Sequence, residues 1–405
     1  MRIALLLLAT GCFSKPEFRP GDGGSDDACA AFPANQTPGL STTGATVSWP
    51  ALPSAPFIEL GNETGGVPMP RVLSLSGVNV LSTAGQVCEA EDRMGVAMYP
   101  VFQATAEATG FVGMSLTKTV TGPAFASWRV NWTHDLACGG PTNRAAGESR
   151  FAMFPDGRIV RTDIITPSLM GPVSVVNCLS CMPSSEFLVT SFTAFARSTL
   201  TAVQRAPGTV ETAVPATADE AVTNSDGGCI VDTNQARLAV LWDQRMPAAT
   251  NTTRFRVVPG FGGAPEVVLV ADLLRAPMVD TMQQRSIRTT MVMGAPNAGS
   301  CSTLIARAHA VQAFPTITID GDQRSASPDG TYVTGERGST IQIHTLGSAV
   351  PPGFLVEARM PGTSLHTSRR EEDVIWHHEP ATGTFYIFFK NGLGSDETIS
   401  ISSGC

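Results

Sequence analysis

Lysine is almost missing from this chain. Of its 27 basic residues only Lys15, Lys118 and Lys390 are lysines, and the remainder are arginines. With a formal net charge of -8 over 405 residues, the chain carries no basic footprint for nucleic acid. Long apolar runs are missing beyond the first dozen residues, so no later segment reads as a membrane-spanning helix. Catalytic signatures are missing too. There is no G-x-S-x-G, no GxxxxGK[ST], no strand-linked GxGxxG and no HExxH. Those absences exclude a nucleophile elbow, a phosphate loop and a zincin helix. Helical periodicity is scarce, and only 279–287 and 302–314 read as short helices.

What fills the chain is short runs of Thr, Val and aromatic residues separated by Gly, Pro and Asn, from TVSW at residue 46 onwards. Regular short strands with turn signals predict an all-β fold, either one large β-sandwich or two in tandem, braced by disulfides. The clearest local structure is RFAMF-PDG-RIVRTDII, where alternating apolar runs meet at Pro155, Asp156 and Gly157. Proline presets φ, Asp bonds its own backbone and Gly accepts positive φ, so a hairpin is predicted over 150–165. Residues 206–225 lose the alternation and read as a linker or long loop. The expected division is therefore a domain at 46–205 and a second domain, or half of one larger sandwich, at 226–405.

The first residues, MRIALLLLATGC, combine Arg2 with a short apolar run and small residues before a cysteine, which predicts an export signal at 1–11. Ala9-Thr10-Gly11-Cys12 resembles the lipobox of bacterial lipoproteins. The resemblance implies cleavage before Cys12, lipid attachment there and, with Phe13 following, an outer-membrane or cell-surface address. Two or more acyl chains suffice for stable anchoring, and lipid would be the chain's only membrane link. Residues 12–45, rich in Gly, Pro, Ser and Asp, read as a flexible tether reaching roughly 30 Å.

Cysteine number is odd, at nine. Assigning Cys12 to lipid leaves Cys29, Cys88, Cys138, Cys178, Cys181, Cys229, Cys301 and Cys405, an even set able to form four bridges in about 105 arrangements. Cys178-Leu-Ser-Cys181 precedes a β-branched, aromatic run rather than a helix, which favours a structural role over redox or metal chemistry.

The densest functional-looking run is Asn131-Trp132-Thr133-His134-Asp135, with Trp128 just before it. Trp128 and Trp132 are candidates to stack on sugar rings, and His134 is a candidate acid or base, against the plainer reading of core tryptophans on an edge strand. The stretches FIELGNETGG, GVNVLS, WRVNW and FPDGRIVRTD resemble the galactose-mutarotase-like supersandwich of carbohydrate-active proteins. For a polysaccharide lyase, His134 or Tyr99 would be the base, and Asn131 or Arg161 would neutralise the uronate carboxylate. Trp376-His377-His378-Glu379 places adjacent histidines on opposite strand faces, so no metal site follows from the spacing. Asp320-Gly321-Asp322 reads as turn chemistry rather than a calcium loop, and Arg369 to Asp373 as a solvated loop of mixed charge. No metal or cofactor is expected. The expectation is a surface-anchored lipoprotein that binds or scaffolds, with a polysaccharide or envelope protein as partner. The alternative is a polysaccharide-lyase-like enzyme.

Overall fold

The computed structural model describes residues 39–61, 69–82, 94–102, 105–106, 109–136, 143–167, 183–199, 202–204, 212–213, 220–223, 227–231, 237–242, 254–259, 266–277, 284–294, 303–304, 306–307, 317–320, 322–324, 332–336, 338, 340–347 and 349–404. Over these residues the fold is all-β, as the strand spacing implies. No helix among them is long and apolar enough to cross a membrane. The expected lipidated Cys12 and its tether lie outside the described residues. So do the side chains of the eight other cysteines, of which Cys229 is described by its backbone alone, on the strand Gly227–Val231.

A nine-stranded antiparallel sheet forms the middle of the molecule. From one edge its strands are Thr212–Ala213, Ala202–Gln204, Gly227–Val231, Arg237–Trp242, Arg285–Gly294, Arg158–Pro167, Asn143–Met153, Ala126–Leu136 and Thr109–Thr121. A six-stranded companion runs Glu220–Thr223, Arg254–Pro259, Glu266–Pro277, Pro183–Ala196, Met94–Phe102 and Thr105–Ala106. Both sheets cross the expected division of the chain, for Arg158–Pro167 pairs with Arg285–Gly294 and Pro183–Ala196 with Glu266–Pro277. The expected linker at 206–225 is corrected as well. Its residues 212–213 and 220–223 are short edge strands, one in each sheet. Length explains the error: strands of two and four residues are too short to show alternation.

Three sheets each keep to one part of the chain. A small meander, Ser41–Thr43, Thr46–Ser48, Phe57–Leu60, Pro70–Leu75 and Val78–Asn79, packs Val47, Trp49, Ile58 and Leu73 onto Trp128, Phe151 and Ile159 of the nine-stranded sheet. Phe195 and Val267 of the companion sheet join the same core. Side chains of this size contribute about 1.5–3 kcal/mol each when fully buried. At the C-terminus a five-stranded sheet containing Thr340–Thr345 and Thr398–Gly404 faces a four-stranded one, Tyr332–Glu336, Phe354–Arg359, Thr384–Phe389 and Val374–Glu379, over Ile341, Ile343, Val356, Ile387 and Ile401. The predicted hairpin is present, with Asn143–Met153 pairing Arg158–Pro167 from Ala145 opposite Pro167 to Met153 opposite Ile159, and Gly157 at φ 87°. Of the expected helices, 303–304 and 306–307 are helical, whereas residues 285–287 begin a strand.

The C-terminal sandwich docks on the hairpin. Leu355, Ile375, Tyr386 and Phe388 pack against Val120, Phe125, Phe154 and Val160. Beside them Arg158, wholly buried, meets Asp156 through Nε at 2.8 Å and donates through a terminal nitrogen to the Gly353 carbonyl. Arg307 reaches the same carboxylate at 2.8 Å. Burial by itself would raise the Asp156 carboxyl, but the guanidiniums of Arg158 and Arg307 outweigh it and hold the group below its ordinary range.

Candidate functional site: the outer face of the nine-stranded sheet

Alternation along Ala126–Leu136 divides the expected site in two. Ala126, Trp128, Val130 and Trp132 are buried, while Arg129 and Asn131 are exposed. The tryptophans therefore belong to the core and offer no ring to a sugar, which corrects their assignment as ligand-binding residues. Trp132 lies over Gly147, where an added Cβ would come within 2.4 Å of its ring, and its indole N–H donates to Ser149 Oγ at 2.9 Å. Ser149 in turn donates to Asp163, which receives Arg161 Nε at 2.9–3.0 Å. Arg161 is 2% exposed on this inner face and also stands over the Phe151 ring, 5.1 Å from its centre. A substrate carboxylate would have to displace Asp163 to reach it.

Of the lyase candidates, the structure describes the side chains of Asn131 and Arg161. Asn131 and Arg161 lie on opposite faces of the sheet. By backbone, His134 is on the nine-stranded sheet opposite Ala145 and Phe111, whereas Tyr99 is on the companion sheet opposite Leu188. The side chains of His134 and Tyr99 lie outside the described residues.

What the sheet does assemble is a cationic row that sequence reasoning missed. Arg129 stands directly opposite Arg150 in register, Thr117 lies on the far side of Arg129, and Thr162 on the far side of Arg150. Like charges directly across a strand pair repel. Glu148, one step along on the same face and opposite Asn131, relieves this by accepting from Nε of Arg150 and forming an ion pair with Arg129 at 3.2 Å. The two guanidiniums are 45% and 48% exposed in their side chains, and among the described residues their terminal nitrogens have no partner. Two cations share one carboxylate, so this group of three keeps one unbalanced positive charge in a chain of net charge -8. The signal was the alternation itself: WRVNW and ESRF each set an arginine on the face opposite an aromatic. What hid it was that the pairing joins residues 21 apart.

The remaining candidates have structural places. His377 and His378 do face opposite sides, His377 stacked on Tyr386 at 4.9 Å between centres and His378 against Phe385 at 4.5 Å. The Ala124 N–H donates to His377 Nδ1 at 3.4 Å, which leaves the proton on Nε2, a buried atom with no partner among the described residues. Burial first, then the charge of His378, lowers the His377 pKa to about 4. Asp320 sits at φ 49° between the paired strands Ile317–Ile319 and Asp322–Arg324 and accepts from the Gln342 N–H of a neighbouring strand at 2.8 Å, and no group of three metal-capable residues occurs among the described residues. In the charged loop, Arg370 and Glu372 are solvated as expected. Arg369, in contrast, donates to Gly392 at 3.1 Å and to Glu397 at 2.6 Å, tying the loop to the next turn.

No family model matches the chain, and no curated protein matches it. Among solved structures it is similar to a heparinase III gene product, at 8% identity and a TM-score of 0.35, covering 77% of this chain and 41% of that one. A heparinase III crystal structure gives 9% and 0.36, covering 76% and 41%. The heparan sulfate lyase HepC from Pedobacter heparinus gives 8% and 0.36, covering 75% and 40%. The chain thus spans about two fifths of these proteins' length. At these values the likeness assigns neither residue nor activity.

Proposed function

We propose that the protein is an exported, lipid-anchored binding protein of the cell envelope, and that the outer face of its nine-stranded sheet holds an acidic polysaccharide. The lipobox-like Cys12 supports the address. One observation carries the ligand class: Arg129 and Arg150, in register and half exposed, share the single carboxylate of Glu148 through their Nε atoms. A guanidinium is a planar fork that matches a carboxylate or sulfate, and charge-assisted bonds of this kind are the strong ones.

The test is retention of the purified full chain on immobilised acidic and neutral polysaccharides, with new chain ends recorded in the same samples. Acidic polymers should be retained, neutral ones should not, and retention should fall with salt. Arg129→Ala with Arg150→Ala should weaken binding at least tenfold, since each lost charged hydrogen bond is worth about 1.5–3 kcal/mol before screening. Equal retention of neutral polymer, or a double variant that binds as before, refutes the proposal. Unsaturated chain ends would move the reading to the lyase alternative.

A further inference from the structure

Around the arginine pair the outer face carries neutral polar groups of a particular kind. Asn131 is exposed opposite Glu148 on one side and Ser115 on the other, and Thr117 is exposed opposite Arg129. Neighbouring strands lie about 4.8 Å apart and successive same-face residues about 7 Å apart, so these groups form a small lattice around the guanidiniums. The side chains of Ser115, Thr117 and Asn131 have no hydrogen-bond partner among the described residues, leaving two hydroxyls and one amide, each able both to donate and to accept, for whatever lies on the face.

We infer that this face selects a polyuronate, a polysaccharide with one carboxylate per sugar and free hydroxyls, and that Asn131 is its specificity-determining residue. The inference rests on the acidic-polysaccharide reading and deepens it. Charge density points the same way as the hydroxyl lattice. Within the group of three, two guanidiniums less one carboxylate leave a single positive charge, which matches one anionic group, while Glu148 repels a second placed close by. Polyphosphate, with a charge on every unit and no hydroxyl along the chain, would neutralise the arginines but leave the amide and both hydroxyls without the partners they can take from a sugar. A site that hydrogen-bonds ligand hydroxyls discriminates against ligands lacking them, because its polar groups are then poorly matched.

The experiment compares binding of the full chain to polygalacturonate and to inorganic polyphosphate at matched charge and physiological salt. Three forms are compared, namely wild type, Asn131→Leu, and Arg129→Ala with Arg150→Ala. Asn131 is exposed, so its replacement should leave the thermal midpoint unchanged, which is checked alongside. Wild type should prefer polygalacturonate at least tenfold. Asn131→Leu should weaken polygalacturonate binding about fivefold to tenfold, the worth of one or two neutral hydrogen bonds, and leave polyphosphate binding as it was. If Asn131→Leu changes neither while the double arginine variant weakens both, the specificity inference is wrong and the polyanion reading stands. If the double variant changes neither, that reading falls and takes this one with it.

Discussion

Acidification should loosen the contact between the C-terminal sandwich and the turn joining Thr109–Thr121 to Ala126–Leu136 through His377. The ring is held in a neutral form by its surroundings: Tyr386 is stacked on one side, and Gly122 approaches so closely that an added Cβ would come within 2.3 Å of the ring. With Nδ1 taken by the Ala124 N–H, adding a proton would require charge at a buried position and the loss of that acceptor. An unfolded chain would protonate the same histidine near pH 6.5, the folded one near pH 4. Between those values the unfolded state binds the extra proton, so stability is intact above about pH 6.5 and falls as pH drops towards 4. At 1.36 kcal/mol per unit the window is worth about 3 kcal/mol as an upper bound. The assay is urea unfolding at pH 7, 5.5 and 4.5 for wild type and His377→Phe. Phenylalanine keeps a ring against Tyr386 but leaves the Ala124 N–H without its acceptor, which costs about 1 kcal/mol at every pH. The variant should therefore be the weaker protein at pH 7 and the stronger one near pH 4, because carboxylates that titrate in both forms cancel in the difference. Parallel curves for the two proteins would refute the reasoning.

Two further substitutions probe the frame that positions the site. Gly353→Ala meets a double obstacle, a backbone at φ 88° and a Cβ within 2.6 Å of Arg158 and 2.7 Å of Asp156, so it should lower the thermal midpoint and expose Tyr386 and Trp376 fluorescence to quencher. Unchanged quenching would show that this clasp does not hold the sandwich in place. Gly147→Ala drives its methyl into both the Trp132 ring and the Ile164 carbonyl at 2.4 Å, and should cost more than about 2 kcal/mol with loss of near-ultraviolet tryptophan signal. A fully stable variant would mean that Trp132 can leave the core, and would reopen it as a ligand-stacking ring.

Architecture was legible where a local pattern met a local cause. The turn at Pro155-Asp156-Gly157 was readable because its three residues each carry their own conformational preference, and the strands flanking it are 11 and 10 residues long. The opposed histidines were readable because alternation in a strand is strict. The candidate site was not, for a physical reason visible in WRVNW. Alternation says that Trp and Arg fall on different faces but not which face water reaches. The tryptophans drew the eye because aromatics serve both cores and sugar sites, and here the core claimed them. The choice between two domains and one larger sandwich was open for a related reason: pairing Arg158–Pro167 with Arg285–Gly294 depends on contacts more than a hundred residues apart, which no local signal encodes.

Charge placement separates the buried arginines from the exposed pair. Arg158 and Arg161 are buried, and each has a carboxylate two residues away on its own strand or turn, Asp156 and Asp163. That spacing is what burial demands, because a cation removed from water needs a partner placed beforehand rather than one recruited from solvent. Arg129 and Arg150 lie on the same four-strand stretch of sheet and yet have one carboxylate between them. Neither folding nor packing calls for that arrangement, since exposed ion pairs are worth about 0–1 kcal/mol and a directly opposed pair of cations begins at a loss. Folding alone would be served as well by a lysine, a threonine or a second glutamate at either position. An unbalanced pair of guanidiniums kept at the solvent face is therefore better explained by what it can bind than by what it stabilises, and the argument turns on Glu148. Replacing it with glutamine should leave the fold intact while raising retention of acidic polymer, because the residual charge of the face would double.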